Sequence, residues 1–148
     1  AHMKAFMYNV WENLGVTIAI NSVYRTPAHQ ARLLREYNAN PKGKAKPGTT
    51  SYHLYGMAMD FNPTLKDGTL LGKSYKDYGK NSLAKAWIDS GLVAAGERVN
   101  LYWGGRFSKN YDPIHFDFRN VAGSTRTTLP AAVKAQNMSA APNRIKLA

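Results

Sequence analysis

An α+β domain is the fold class this sequence predicts, and three observations predict it. Residues 16–24 (VTIAINSVY) are rich in β-branched side chains and partly alternating, which suits a strand buried on at least one face. Thr26-Pro27 reads as a helix N-cap followed by the first helical residue, opening a helix through about Tyr37. Ile114, Phe116 and Phe118 alternate with His115, Asp117 and Arg119, so a strand here buries the first set and turns the second to the opposite face. Strand and helix signals are interspersed along the chain. At 148 residues and 44% hydrophobic it can bury one sizeable core but is short for two independent domains.

Taken in order, Ala1-His2-Met3 reads as a cloning remnant, and the domain is expected over residues 4–122. Asn9, Glu12 and Asn13 interrupt the N-terminal stretch too early for a secretory signal, and no apolar run approaches the ~20 residues of a membrane span, so no membrane insertion is expected. Residues 38–50 hold two prolines, two glycines and three lysines, the composition of a mobile basic loop. Gly56 permits a turn, and a strand after it places Gly56, Ala58 and Asp60 on one face. Ser82 is placed to cap a helix through Ser90, with Leu83, Ala86 and Trp87 as its buried stripe and Gly91 as its stop. From Val121 the composition turns to Ala, Ser, Thr, Asn and basic residues without an acid. Residues 123–148 therefore read as a basic tail, with a short helix near Pro130 to Gln136 and a frayed end.

Lysine and arginine total 20 against nine acids, a net charge of +11. Such a field draws the molecule toward anionic polymers without naming one: nucleic acid, anionic lipid, teichoic acid and the carboxylates of peptidoglycan all qualify. The basic residues form no recognisable reading helix or aromatic-studded strand, so no specific nucleic-acid partner is expected. The absence of cysteine excludes disulfides, thiolate catalysis and every cysteine-based metal site. Any metal must use histidine and carboxylate.

Two segments offer that chemistry, Ser51-Tyr52-His53-Leu54-Tyr55-Gly56-Met57-Ala58-Met59-Asp60 and Asp112-Pro113-Ile114-His115-Phe116. His53 and Asp60 are seven apart, and on one straight strand they face opposite sides, so both reach one metal only if the backbone turns between them. Two histidines and one aspartate leave zinc a fourth position for water, as a catalytic site requires. Pro113 disfavours a helical pairing of Asp112 with His115. A carboxylate beside the metal can accept a proton from the attacking water and return it to the departing amine.

Ser51-x-His53-x-x-Gly56-x-Ala58-x-Asp60 followed by Asp112-x-x-His115 resembles the metallopeptidase family of zinc D-alanyl-D-alanine carboxypeptidases, vancomycin-resistance dipeptidases and phage L-alanyl-D-glutamate endopeptidases. Tyr24-Arg25-Thr26 with Gln30, and Trp103-Gly104-Gly105-Arg106, are similar to its flanking segments, so the likeness spans roughly residues 16–118. The resemblance implies a small, mainly antiparallel sheet with flanking helices and a zinc cleft. It makes His53, Asp60 and His115 the zinc ligands and Asp112 the general base and acid, and aspartate at that position is similar to the phage endopeptidase branch. It makes Arg25 a residue that binds or polarises substrate and Ser51 one that lines the cleft. The tail has no counterpart in the family.

Other readings compete for the same residues. Asp60 before Asn62-Pro63, and Asp112 before Pro113, are each ordinary turn formers in isolation. Arg25 is open to pairing with a surface acid, Arg106 to bracing the Gly104-Gly105 turn, and Asp117 either to orienting His115 or to standing exposed. His29 is expected to be solvated, Trp87 to lie in the core, and Tyr102 and Trp103 to be cleft wall or core.

The function expected is zinc-dependent hydrolysis of peptidoglycan stem peptides at the L-alanyl-D-glutamate bond, in a phage endolysin or related lytic protein. Such a protein acts on the bacterial cell wall, is monomeric, and is made in the host cytoplasm and released at lysis. The alternatives are a D-alanyl-D-alanine carboxypeptidase or dipeptidase and, from another class, a non-catalytic zinc-containing module that binds the wall.

Overall fold

The computed structural model describes residues 2–42, 46–49, 51–72 and 79–120. Its frame is a four-stranded sheet of β1 (Thr17–Ser22), β2 (Ala58–Thr64), β3 (Tyr102–Trp103) and β4 (His115–Asp117), in the order β1-β2-β4-β3. All three ladders are antiparallel. Helices α1 (His2–Leu14), α2 (Pro27–Ala39), α3 (Gly79–Asp89) and α4 (Leu92–Arg98) complete an α+β arrangement among the described residues.

Register divides the sheet into a core face and a site face. Met59 pairs with Phe116, which also pairs with Trp103, and these side chains with Phe61 are fully or almost fully buried. Asp60 pairs with His115, and Asp117 pairs with both Ala58 and Tyr102, so the other parity gathers the chemistry. The alternation read over 114–119 holds: Ile114 and Phe118 pack on the core with Phe116, while His115 and Asp117 take the opposite side.

Three helices supply the apolar cover for the core face. Phe6 lies 5.4 Å from Phe116 and 5.8 Å from Phe61, ring centre to ring centre, and Phe61 stacks on Phe116 at 5.3 Å. Trp87, fully buried as expected, packs 5.9 Å from Phe61. Burying each such phenylalanine contributes about 1.5–3 kcal/mol. A Cβ on Gly96 would stand 2.7 Å from the Phe116 ring, so glycine is what lets α4 approach the sheet this closely.

Several elements depart from the sequence reading. α1 was not foreseen, although Met3, Phe6, Met7, Val10 and Leu14 recur on one helical face and all join the core. α4 and the two-residue β3 were also unforeseen. α3 begins at Gly79, so Ser82 lies inside it rather than capping it. The predicted stop holds: Gly91 has φ 82°, and Ser90 Oγ donates to the Trp87 carbonyl and accepts from Leu92 N–H at the α3–α4 junction. β1 is an edge strand and mostly exposed, with Ile20 49% accessible, because only Val16 and Ile18 of its neighbourhood reach the core. α2 opens as expected, Thr26 Oγ1 accepting from His29 N–H at 3.1 Å, and runs two residues past Tyr37. His29 is exposed. The expected helix near Pro130 to Gln136 lies outside the described residues, as does part of the 38–50 loop. Among the described residues no helix is long and apolar enough to cross a membrane.

Candidate metal centre

Two local devices bring His53 and Asp60 together despite their separation. Residues Tyr52–Tyr55 form a short 3₁₀ turn capped by Ser51, whose Oγ accepts from His53 N–H at 3.3 Å. Gly56 then closes the turn at φ 65°, a left-handed conformation that glycine adopts without strain, and β2 starts two residues later. This is the reversal that the seven-residue spacing demanded. His115 arrives from β4, directly opposite Asp60 in the ladder.

One ligand atom from each of His53, Asp60 and His115 lies within 4.8 Å of the others, and all three residues are buried. Asp60 Oδ1 is 2.9 Å from His53 Nε2 and 3.0 Å from His115 Nδ1. The far nitrogens are tied back to the protein. His53 Nδ1–H donates to the Val23 carbonyl at 2.6 Å, and His115 Nε2–H donates to Asp117 Oδ2 at 3.0 Å. With the outer nitrogens so committed, both inner nitrogens turn lone pairs toward one carboxylate oxygen, a grouping that repels itself unless a proton or a cation sits between. Burial acts to lower the His115 pKa, but hydrogen bonds to Asp117 and Asp60 outweigh it and hold the imidazole at about 9. Burial acts to raise Asp60, yet the hydrogen bonds and charges of His115 and His53 hold its carboxyl well below the usual range. The pocket thus concentrates affinity for positive charge, and a two-imidazole, one-carboxylate donor set suits zinc.

The remaining expected residues surround this cluster in different ways. Arg25 Nη2 donates to Asp60 Oδ2 at 2.5 Å, Nε donates to Ser22 Oγ at 3.0 Å, and its backbone N–H donates to the His53 carbonyl. Gln30, buried in α2, braces it: its Oε1 is 3.5 Å from Arg25 Nη1, and its Nε2 donates to the Gly48 carbonyl at 2.6 Å. Asp112 lies just before β4. Its N–H donates to the Gly104 carbonyl at 3.2 Å, and its own carbonyl accepts from His115 N–H at 3.1 Å. A Cβ on Gly104 would stand 2.3 Å from that Asp112 carbonyl oxygen, so the Trp103-Gly104-Gly105-Arg106 segment serves as a close-packed seat for the 112–115 turn. Trp103 Nε1–H donates to the Pro113 carbonyl at 2.8 Å. Arg106 braces the same segment by pairing with Glu97 of α4.

Asp117, left open in the sequence, is fully buried and holds His115. The alternation with Phe116 and Phe118 was the available signal, since it puts Asp117 on the face of His115. It did not say that the face was covered.

Comparison with known proteins gives matches of three kinds. The family described as D-alanyl-D-alanine carboxypeptidase matches residues 44–118, just over half of the chain. The peptidoglycan L-alanyl-D-glutamate endopeptidase CwlK of Bacillus subtilis is 27% identical over 108 residues, covering 71% of this chain and 62% of CwlK, less than two thirds of that relative. The crystal structure of the Serratia marcescens L-Ala D-Glu endopeptidase ChiX aligns with a TM-score of 0.47 and 19% identity, covering 78% of this chain and 76% of that one.

Proposed function

Because this chain belongs to the peptidase family described as D-alanyl-D-alanine carboxypeptidase, we propose that it is a zinc endopeptidase that cuts peptidoglycan stem peptides at the L-alanyl-D-glutamate bond. The observation that carries the reading is the convergence of His53 Nε2, His115 Nδ1 and Asp60 Oδ1 with their outer atoms already bonded. Zinc held there would supply Lewis-acid polarisation of the scissile carbonyl and make water a nucleophile near neutral pH. Residues 4–122 are assigned to catalysis.

The chain's own groups supply the rest. Asp112 accepts the proton of the attacking water and delivers it to the nitrogen of the departing amine, so one carboxylate serves both halves of the reaction. Arg25 bonds the outer oxygen of Asp60, which aims that carboxylate, and it places a guanidinium beside the reacting carbonyl. Ser51 shapes the turn that presents His53 and lines the same cleft.

The choice of bond rests on three supports: aspartate rather than glutamate at position 112, the endopeptidase activity named for CwlK, and a charge of +11. A small dipeptide has little use for so basic a surface, whereas an anionic wall concentrates the protein and slows its escape between cuts. Digestion of purified sacculi should release peptides that begin with D-glutamate and leave L-alanine on the muramyl sugar, as read by mass spectrometry. Salt should depress sacculus lysis more than cleavage of a short soluble peptide. Release of free D-alanine alone would move the protein to the carboxypeptidase activity for which its family is described.

Arg25→Ala should stay folded and keep zinc, while kcat/KM on soluble stem peptide falls about 10- to 100-fold. That is the scale of a lost hydrogen bond to a charged partner. Unchanged kinetics in a metal-loaded variant would leave Arg25 a bracing residue only.

A further inference from the structure

An imidazole can bind a metal through either nitrogen, and the choice is made by what the other nitrogen is bonded to. For His115 that partner is Asp117, which has no accessible surface and lies 3.0 Å from Nε2 through Oδ2. A carboxylate buried so completely is costly unless its charge is matched. Arg119 matches it with three donors: Nε to Oδ1 at 2.9 Å, Nη2 to Oδ2 at 2.6 Å and the backbone N–H to Oδ1 at 3.0 Å.

Arg119 is itself held in place. Its guanidinium carbon lies 4.2 Å from the centre of the Tyr102 ring and 5.1 Å from those of Tyr52 and Phe107. Tyr52 is the residue before His53, and the Phe107 ring is 5.5 Å from the His115 ring. One arginine therefore rests on neighbours of both histidines, which come from different parts of the chain.

We propose that Asp117 and Arg119 are the positioning pair of this centre: Asp117 commits His115 to present Nδ1 to the metal, and Arg119 holds Asp117 in the orientation that does so. The inference rests on the zinc-peptidase reading and deepens it, because it concerns how a ligand is aimed. Asparagine at 117 keeps the shape, loses the charge, and can donate from its amide to Nε2, which would force the hydrogen onto Nδ1. Arg119→Gln removes the matching charge while leaving the His115–Asp117 contact intact.

Zinc affinity by competition with a chromogenic chelator, together with nitrogen NMR of isotope-labelled histidines in the zinc-loaded protein, tests the pair. The wild type should show His115 bound through Nδ1 with hydrogen on Nε2. Asp117→Asn should bind zinc roughly 10- to 100-fold more weakly, with altered His115 ring signals, and Arg119→Gln should shift both in the same direction by less. Asp117→Asn that folds, binds zinc as tightly as wild type and keeps its His115 signals would overturn the proposal. If Asp117→Asn does not fold, wild-type affinity and signals in Arg119→Gln would overturn it instead. A wild-type protein that binds no zinc would strike at the peptidase reading itself, whereas one that binds zinc and cuts peptidoglycan with an indifferent Asp117 would remove only the positioning role.

Discussion

His115→Ala is expected to lose its metal and fall to background activity on sacculi. In the proposed centre the imidazole supplies one of three protein ligands, and its share of the ~10–16 kcal/mol with which zinc sites bind is about 3–5 kcal/mol, an affinity loss of roughly 10²- to 10⁴-fold. The loss extends beyond one bond, because His115 stands between two buried carboxylates, Asp60 and Asp117. Deleting the ring leaves both facing a void, and Asp60 loses one of the partners of Oδ1 while its contacts with His53 and Arg25 stay. Elemental analysis should find about one zinc per chain in the wild type and little in the variant at the same free zinc. His29→Ala, on the exposed face of α2, should match the wild type in both respects. Full zinc and full activity in His115→Ala would sink the ligand assignment.

Asp112→Asn separates metal binding from turnover. Asparagine keeps the size of aspartate, and the backbone of this residue is held by bonds to the Gly104 carbonyl and from the His115 N–H that the substitution does not touch. The turn into β4 should therefore survive with the metal still bound. An amide cannot take the proton of the attacking water, so kcat should fall on the order of 10²- to 10⁴-fold, the usual contribution of a positioned general base. Circular dichroism, zinc content and single-substrate kinetics together decide the matter. Turnover like that of the wild type would end the proposed role. A variant that lost zinc in parallel with activity would make Asp112 part of the metal's support instead of its proton carrier.

Legibility in the sequence followed how local each signal was. Thr26-Pro27 and Gly91 are read from a few neighbouring residues, and both do in the structure what their chemistry implies. The 114–119 alternation is likewise local, and its two faces are found as expected. Ser82 misled because a capping residue is only a cap if the helix starts there, and α3 starts at Gly79. The α1 stripe was present in Met3, Phe6, Val10 and Leu14. Testing the stretch only for a secretory signal or membrane span leaves it unassigned, because its packing partners Phe61 and Phe116 lie far along the chain. Arg25 was read as a substrate residue, and the structure adds that it grips Asp60.

By itself the sequence determined the α+β class, the family motif, the exclusion of cysteine chemistry, and the three side chains that meet at the centre, because residue type and spacing along the chain carry that information. Tertiary structure alone decided that Asp117 is fully buried, which nitrogen of each histidine faces Asp60, and that Arg119 spans Tyr52, Tyr102 and Phe107. Those facts depend on desolvation and on pairings across the sheet, such as Asp60 with His115 and Tyr102 with Asp117, and no local pattern encodes which distant strand will cover a given face.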